Sequence, residues 1–381
     1  MTDCQALIVD RIRQQGPLTV ADYMALALYE PGAGYYARAA QRSGRAGDFF
    51  TSVDAGPWFG RLLAARFASW LEAFGAAAPG GLGTRWDLVE VGAGNGRLSR
   101  DILDALATSA PALYDRVSVH LIERSATARG AHPDVLSAHA ARLSSSSDRL
   151  PERIDGIVFA NELLDAFPVH LVEGTQAGLA EVFVDATDDG RLVERLGPPS
   201  TPAFGAYLDE VGITLAPRQR AEINLDAVAW VQDAARRLTH GYLVVIDYGH
   251  EASDLYSAER PAGTLATFHR HMLDAPSDGP PGTPAWLVDP GRRDLTAHVD
   301  LTSVRRAAEA AGLSTVSVMD QTRFLLDIAS EPAVLAALTE SATLQDRLLL
   351  KTLLVPGGLG TTHKVMVFCS ASSASRPSRW S

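Results

Sequence analysis

The sequence has only two cysteines, Cys4 and Cys369, near opposite ends of its 381 residues. Two distant cysteines form neither a disulfide framework nor a zinc site, so we expect a reducing, cytoplasmic setting. The histidines also lack ligand spacing, and we expect no metal. The chain has no apolar run that could span a bilayer without charges or prolines. Asp3 and Asp10 interrupt the apolar start, which therefore does not resemble a signal peptide.

Positive charge is also in deficit. The chain has 34 Lys and Arg residues against 45 Asp and Glu residues, a formal net charge of -11. This charge opposes attraction to nucleic acid or to an anionic membrane, so we predict neither as a partner. An acidic surface would tolerate a cationic substrate, but it serves solubility equally well. With 46% hydrophobic and 21% charged residues, the composition is that of a globular protein.

The pattern along the chain predicts an α/β protein. Residues 1–85 are expected to form a helical segment with a long irregular loop over residues 31–47. From residue 86, short buried strands alternate with amphipathic segments, which predicts a parallel sheet covered on both faces. The predicted strands lie at 87–91, 117–122, 156–160, 241–246, 315–319 and 364–368. The resulting α/β domain, 86–369, carries insertions at about 169–224, with a substrate-side β-hairpin or cap, and at 251–299, and a disordered tail follows at 370–381.

A glycine-rich turn follows the first predicted strand. Gly92, Gly94 and Gly96 let the backbone turn tightly and approach a ligand without a Cβ in the way. A dinucleotide-binding loop would need a glycine where Arg97 stands. The order E-x-G-x-G-x-G resembles instead the nucleotide motif of methyltransferases, in which the loop lines the methionine part of S-adenosylmethionine. In that motif the acidic residue, here Glu90, orders the loop or its polar ligand.

The second predicted strand ends in Glu123, whose carboxylate could accept both hydroxyls of a ribose. Open α/β sheets bind ligands at the carboxyl ends of their strands, so Glu123 and the glycines point to one crevice. A tight structural turn is the alternative interpretation of the glycines alone. Together with Glu123 they predict a Rossmann-like, class I methyltransferase core that binds S-adenosylmethionine.

An acidic segment follows the strand at 156–160. Asn161, at the strand end, is a candidate cofactor contact. Glu162 and Asp165 are expected on one face of a first helical turn, where two carboxylates could hold a guanidinium or amine and accept its proton. The alternative is helix capping by Asn161, with the acids favouring the helix N-terminus. Asp247 and His250 follow the next strand at the same rim and are further catalytic candidates, although His250 could equally be an ordinary loop residue.

Short motifs along nearly the whole chain, apart from the tail, carry a family resemblance. In chain order they are Y-x-P-x-x-G-Y-Y at 29–36, G-D-F-x-T-S at 47–52, F-G at 59–60, the glycine turn, N-E-x-x-D-A-x-P at 161–168, I-D-Y-G at 246–249, D-P-G at 289–291, D-L-T-A-H-V-D at 294–300 and Q-x-x-F-L at 321–325. This set resembles the MidA-like methyltransferases, whose mitochondrial member is an arginine methyltransferase that assists assembly of respiratory complex I. The resemblance implies that Gly47, Asp48, Thr51 and Ser52 fold over the cofactor or substrate.

The sequence departs from the family pattern at a few positions. Val53-Asp54 stands where the family has P-E, Ala93 and Asn95 stand in the cofactor loop, and the segment 271–289 is longer. These changes leave the cofactor prediction intact and put the acceptor in question, because the rim of the site is where acceptor choice would change.

The leading hypothesis is N-methylation of a protein arginine, with a respiratory complex I subunit as the protein that the resemblance suggests. Two alternatives stay open, O- or N-methylation of a small molecule in a biosynthetic pathway and a non-catalytic assembly factor that binds a protein client. Arg97 disfavours a nicotinamide-dependent dehydrogenase. The sequence leaves open whether the chain is a monomer or a homodimer.

Overall fold

A computed structural model describes residues 3–38, 51–77, 85–269, 272–273, 283–341, 343–354 and 362–370. Gly47 and Asp48, residues 274–282 of the long loop, and residues 371–381 of the predicted tail lie outside the described residues. The chain divides into two compact units. The first comprises Met1–Phe50, Leu164–Trp230 and Gly249–Arg306, and the second comprises Thr51–Leu163, Val231–Tyr248 and Ala307–Ser381. The predicted domain boundaries stay a prediction.

The helices and strands alternate through most of the chain. The helices are α1 (Cys4–Gln15), α2 (Val20–Tyr29), α3 (Tyr35–Arg38), α4 (Trp58–Ala77), α5 (Arg97–Ser109), α6 (Pro111–Tyr114), α7 (Ala126–Leu136), α8 (Ala203–Val211), α9 (Leu225–Arg237), α10 (Ala252–Leu255), α11 (Leu301–Ala310), α12 (Gln321–Ala329), α13 (Pro332–Ser341) and α14 (Leu344–Leu354). The strands are β1 (Leu18–Thr19), β2 (Trp86–Val91), β3 (Val117–Ile122), β4 (Leu143–Ser147), β5 (Ile154–Asn161), β6 (His170–Thr175), β7 (Gly178–Ala186), β8 (Leu192–Gly197), β9 (Arg220–Ile223), β10 (Leu238–His250), β11 (Ala266–His269), β12 (Met272–Leu273), β13 (Asp294–Thr296), β14 (Val299–Asp300), β15 (Leu313–Asp320) and β16 (His363–Ser370).

The first unit begins with two capped helices. Asp3 caps α1 by accepting the N–H of Gln5, and Thr19 caps α2 by accepting the N–H of Asp22 at 3.0 Å. Within residues 31–47, which were predicted to be irregular throughout, the structure contains the single-turn helix α3. Four residues are too few to produce a helical period in the sequence, so that part of the prediction was wrong.

An antiparallel sheet completes the core of the first unit. Its strand order is β1-β7-β6-β9, and β8 pairs with β7. The β7–β8 pair, in which Val184 lies opposite Glu194, confirms the predicted hairpin. The apolar side chains of α1 and α2 pack against β6 and β7 in one buried cluster, which includes Ile8, Met24, Leu28, Leu171 and Val182.

The sheet of the second unit has the strand order β15-β16-β10-β5-β2-β3-β4. The strands from β10 to β4 are parallel, and β15 and β16 are antiparallel to their neighbours. This order confirms the predicted Rossmann-like α/β core. From β2 the chain builds β3 and β4 on one side, and later β5 and β10 on the other. The order therefore reverses between β2 and β5, and ligands of open α/β sheets bind at such a switch point.

Helices α4 and α5 of the second unit approach closely at Gly60. A Cβ at this position would lie 2.8 Å from the Cβ of Asp101 and 3.2 Å from the backbone N of Ile102. The F-G motif therefore has a packing reason, because a larger residue would force the helices apart. The ring of Trp70 in α4 stacks on Tyr242 of β10 at 4.3 Å between centroids, which fixes the helix on the sheet.

The predicted tail began one residue too early. Ser370 is the last residue of β16, and its Oγ accepts the N–H of Gly241 at 3.1 Å. Pairing with β10 holds this end of the chain in the sheet, which a composition rich in serine could not show.

Candidate functional site

Two loops follow the strands on either side of the switch point. The glycine loop (residues 92–96) follows β2, and the β5 loop (residues 161–163) follows β5. A Cβ on Gly92 would lie 2.9 Å from Cδ1 of Leu163, so the two loops are in contact. The structure thus brings the predicted glycine motif and the start of the predicted acidic segment together at one end of the sheet.

The glycine loop has a left-handed backbone at each of its glycines. The φ angles are +71° at Gly92, +53° at Gly94 and +82° at Gly96. Other residues adopt such angles only with strain, so glycine is needed at all three positions. A Cβ on Gly94 would meet no atom of the described residues within 4 Å. This face of the loop is therefore open to a ligand.

Glu90 supports the loop from beneath. The carboxylate is buried and accepts two hydrogen bonds from Ser99 of α5, one from the hydroxyl and one from the backbone N–H at 3.1 Å. Burial raises the pKa of Glu90 to about 8, although the bonds from Ser99 act in the opposite direction. These contacts tie β2 to the start of α5, on either side of the glycine loop, and the predicted role of Glu90 in ordering the loop or its polar ligand stays a prediction.

Glu123 follows β3 and is partly exposed beside the glycine loop. One carboxylate oxygen accepts the N–H of Gly94 at 3.0 Å, and the other accepts the N–H of Ser125 at 2.8 Å. Each oxygen keeps a further lone pair. The carboxylate is therefore held in place and can still accept two hydroxyl groups.

The comparisons with known proteins agree on one family. Residues 62–319 match the family described as putative S-adenosyl-L-methionine-dependent methyltransferases. The mouse protein arginine methyltransferase NDUFAF7, mitochondrial, is 30% identical over 366 residues, which cover 85% of this chain and 76% of the mouse protein. The Drosophila melanogaster homolog of NDUFAF7 is 31% identical over 341 residues, 79% of this chain and 69% of that protein.

A solved structure points the same way. A COG1565 superfamily member and likely methyl transferase from Burkholderia thailandensis, bound to S-adenosyl-homocysteine, is 30% identical with a TM-score of 0.82. The match covers 96% of this chain and 91% of that chain. The chain belongs to this methyltransferase family. It is an S-adenosylmethionine-dependent enzyme, as the glycine motif, Glu123 and the family resemblance predicted.

The residues at the switch point of this methyltransferase fit the cofactor. The open face of Gly94 leaves room for a ligand, and Glu123 offers two acceptors beside it. Asn161, the last residue of β5, has a buried Oδ1 without a hydrogen-bond partner among the described residues. A buried acceptor of this kind calls for a donor from a ligand or water. Which atoms of the cofactor these residues contact stays a prediction.

The β5 loop differs from its prediction. Glu162 has a φ of +52°, and its N–H donates to the carbonyl of Ile246 at 2.8 Å. The predicted first helical turn was wrong, because a left-handed residue directly after the strand turns the chain away from a helical path. Asn161 consequently caps no helix, and the argument that Glu162 and Asp165 share a helical face does not hold.

The side chain of Glu162 is fixed by its neighbours. Nδ2 of Asn161 donates to Glu162 Oε1 at 3.2 Å, and Nε2 of the fully buried His363 lies 3.3 Å from the same oxygen. The His363 ring packs against Tyr248 at 4.0 Å between centroids. Among the described residues, Oε2 of Glu162 accepts no hydrogen bond, so it is the oxygen available to an acceptor.

Asp247 braces the β5 loop. It is buried, and its two carboxylate oxygens accept the backbone N–H groups of Leu163 at 3.0 Å and of Tyr248 at 2.8 Å. Asp165 and His250 belong to the first unit, where Ala297 donates its N–H to the Asp165 carbonyl and the His250 ring stacks on His298. Catalytic roles for these three predicted residues stay predictions.

The two described residues of the G-D-F-x-T-S motif are buried and bonded within the second unit. The backbone N–H and hydroxyl of Thr51 both donate to Asp54 at 3.0 Å, and Ser52 Oγ accepts from Gln321 at 2.9 Å. Arg97, the first residue of α5, donates to Asp54 at 2.8 Å and to the Val53 carbonyl. These bonds tie the end of the motif to the helix that follows the glycine loop.

Sequence reasoning missed two histidines and one role. His132 contacts the glycine loop and His363 contacts Glu162, but neither stands in a recognisable motif. Arg97 was used only to exclude a dinucleotide loop, and Asn95 only as a departure from the family. The Asn95 side chain accepts the N–H of Arg97 at 3.1 Å and so helps to start α5, a pattern typical of asparagine before a helix.

Two negative findings apply to the described part of the chain. None of its helices has the length and hydrophobicity needed to cross a membrane. Across the same residues, no group of three or more His, Cys, Asp or Glu side chains could hold a metal ion.

Proposed function

We propose that the chain transfers a methyl group to a guanidine nitrogen of a protein arginine, with Glu162 as the carboxylate that holds the acceptor. Relatives of this chain are named protein arginine methyltransferases. The mouse protein is 30% identical over 85% of the chain. The observation that carries the proposal is the conformation of Glu162, which combines a strained backbone with a fixed side chain beside the glycine loop. Strain of this kind concentrates at functional sites.

In this proposal, some residues of the second unit hold the methyl donor and Glu162 holds the acceptor. S-adenosylmethionine supplies an electrophilic methyl group on a sulfonium. Glu123 and the glycine loop hold this donor, and Asn161 Oδ1 accepts a hydrogen bond from it. Glu162 Oε2 accepts an N–H of the guanidinium and thereby aligns the attacking nitrogen with the methyl group. As the new N–C bond forms and the S–C bond breaks, the nitrogen loses a proton, which Glu162 takes up.

Transfer from tritiated S-adenosylmethionine to synthetic peptides tests this proposal. Peptides that contain arginine should be labelled, and the same peptides with lysine in its place should not. Glu162→Gln should lower the labelling by about 100-fold while the cofactor affinity, measured by calorimetry, stays within about twofold. Glu152→Gln, an exposed glutamate of the same unit, is the matched control and should behave as the wild type. If lysine peptides or small amines were labelled and arginine peptides were not, the arginine acceptor would be ruled out.

The remaining expectations about partners and location are part of the same proposal. The mouse and fly relatives are named as mitochondrial proteins, so a cytoplasmic location for this chain stays a prediction. A respiratory complex I subunit as acceptor and a homodimer also stay predictions. The longer segment 271–289, which would favour the small-molecule alternative by closing a smaller pocket, lies outside the described residues at 271 and 274–282, so that alternative stays a prediction.

A further inference from the structure

Both backbone polar groups of Gly94, the central glycine of the loop, are bound by side chains. Its N–H donates to Glu123 at 3.0 Å, and its carbonyl oxygen lies 2.9 Å from Nε2 of His132. The φ of Gly94 is +53°, and no atom of the part of the chain that the structure describes lies within 4 Å of a built Cβ, so no described residue covers this face of Gly94. The N–H belongs to the peptide between Ala93 and Gly94, and the carbonyl belongs to the peptide between Gly94 and Asn95, so the two side chains together fix the backbone on both sides of Gly94.

His132 lies on α7 and is fully buried. Because a carbonyl oxygen can only accept, Nε2 must carry the proton of the ring. Nδ1 lies 2.8 Å from the hydroxyl of Ser146 on β4, which can donate to it, and the same hydroxyl lies 3.3 Å from a second acceptor, the carbonyl of Arg129. A Cβ on Gly96 would lie 3.4 Å from Cδ2 of the same ring. His132 thus contacts the glycine loop at two of its three glycines, and both of its nitrogens have partners that fix the ring.

We propose that His132 is a positioning residue of the donor site, which holds the Gly94 carbonyl, and with it the peptide between Gly94 and Asn95, in the conformation to which S-adenosylmethionine binds. It acts with Glu123 as a clamp on opposite ends of one residue, since one takes the N–H and the other the carbonyl. A loop fixed before binding loses less conformational freedom when the cofactor arrives, and the cofactor binds more tightly for that reason. The proposal depends on the cofactor alone and is independent of the arginine acceptor.

Calorimetric binding of S-adenosylmethionine to three variants tests this role. His132→Phe keeps the ring volume and removes the donor, and we expect about tenfold weaker binding. His132→Gln can place an amide N–H close to the position of Nε2, and we expect an affinity within about threefold of the wild type. The matched control is His139→Phe. His139 is also buried, with contacts to Tyr114 at 2.8 Å and Asp104 at 2.9 Å, but has no contact with the glycine loop.

The outcomes separate positioning from general destabilisation when thermal unfolding of the cofactor-free protein is followed in parallel. The proposal is supported if His132→Phe weakens binding, His139→Phe does not, and His132→Gln restores it. It is overturned if folded His132→Phe binds within about twofold of the wild type, or if His139→Phe weakens binding equally. Should His132→Phe fail to fold, His132→Gln and Ser146→Ala decide. Faster hydrogen exchange confined to residues 92–97 in Ser146→Ala, with near wild-type binding in His132→Gln, supports the clamp, and unchanged exchange in Ser146→Ala overturns it.

Discussion

The glycine loop and the β5 loop follow neighbouring parallel strands of one sheet, and both require a left-handed backbone. The glycine loop meets this requirement with Gly92, Gly94 and Gly96, which adopt positive φ without strain. The β5 loop uses Glu162 at a φ of +52°, at a cost of about 1–2 kcal/mol. We infer that the first loop works through its backbone and the second through a side chain.

The residues that hold the two loops in place also differ in whether they bind backbone or side chain. The glycine loop is held by groups that bind its backbone or the helix behind it, namely Glu123, His132 and Glu90. In the β5 loop, Asp247 fixes the backbone of Leu163, and His363 lies against the Glu162 carboxylate. Changes around the glycine loop should therefore weaken cofactor binding, and changes at Glu162 in the β5 loop should impair transfer without affecting binding. The four predictions below test that separation.

The largest effect is expected for Glu123→Ala. This variant removes the two charge-assisted hydrogen bonds that we predict between Glu123 and the ribose, and it also releases the N–H of Gly94. Since such bonds contribute about 1.5–3 kcal/mol each, S-adenosylmethionine should bind at least about 100-fold more weakly in calorimetry. Retention of wild-type affinity in a folded variant would remove Glu123 from the donor site. It would also leave the glycine loop without a polar partner for the cofactor.

The second effect is expected for Gly94→Ala. The added Cβ meets no atom of the described residues within 4 Å, so we expect a cost to the free protein of about 1 kcal/mol, from strain at a φ of +53°. The same methyl group would occupy the face proposed for the cofactor, and we expect about 30-fold weaker binding. Calorimetry and thermal unfolding of the same samples separate the two effects.

Gly190→Ala is the matched control for Gly94→Ala. Gly190 lies in the turn between β7 and β8 with a φ of +80° and equally has no atom within 4 Å of a built Cβ. It should lose a similar amount of stability and leave cofactor affinity unchanged. Equal losses of affinity in the two variants would show that binding follows overall stability, and the open face of Gly94 would then have no special role.

The contrast between the two loops also explains which parts of the site could be predicted from the sequence. The glycine loop was predictable because backbone geometry selects glycine at fixed spacing, and Glu123 was predictable because it ends a recognisable strand. The β5 loop was misjudged because acidic residues after a strand suit a helix N-terminus equally well, and no sequence rule announces a left-handed glutamate. His132 and His363 could not be predicted, since each is brought to its loop from a distant part of the chain.

The third prediction concerns stability and pH through Glu90. Burial raises its pKa in the folded protein to about 8, from 4.5 in the unfolded chain. Between pH 4.5 and pH 8 the folded protein keeps a proton on Glu90 that the unfolded chain has lost. The contribution of Glu90 to the free energy of unfolding is therefore complete below pH 4.5 and is lost as the pH rises through 8. Between pH 6 and 7 the free energy of unfolding should fall by about 1.4 kcal/mol from this group.

Urea denaturation of the wild type and of Glu90→Gln measures this contribution. The amide cannot ionise but can still accept from Ser99, so the variant should lack this part of the pH slope. An identical slope in both proteins would mean that Glu90 is ionised in the fold. The glycine loop would then rest on a buried charged carboxylate. The two loops would differ less than we infer, because the β5 loop also depends on a carboxylate, that of Glu162.

The smallest effect on stability is expected for Glu162→Gly, which places glycine in the β5 loop as in the glycine loop. Relief of strain gains about 1 kcal/mol, and loss of the contacts with Asn161 and His363 costs a similar amount. The free energy of unfolding should therefore stay within about 1 kcal/mol of the wild type, and cofactor affinity should not change, while transfer is lost.

Arg218→Gly serves as the matched control, because Arg218 is exposed at a φ of +71° and its replacement relieves strain alone. The difference between the two variants isolates the contribution of the Glu162 side chain to folding. If Glu162→Gly lost about 3 kcal/mol or more relative to Arg218→Gly, the contact with His363 would be a structural anchor, and the strain at Glu162 would no longer indicate catalysis.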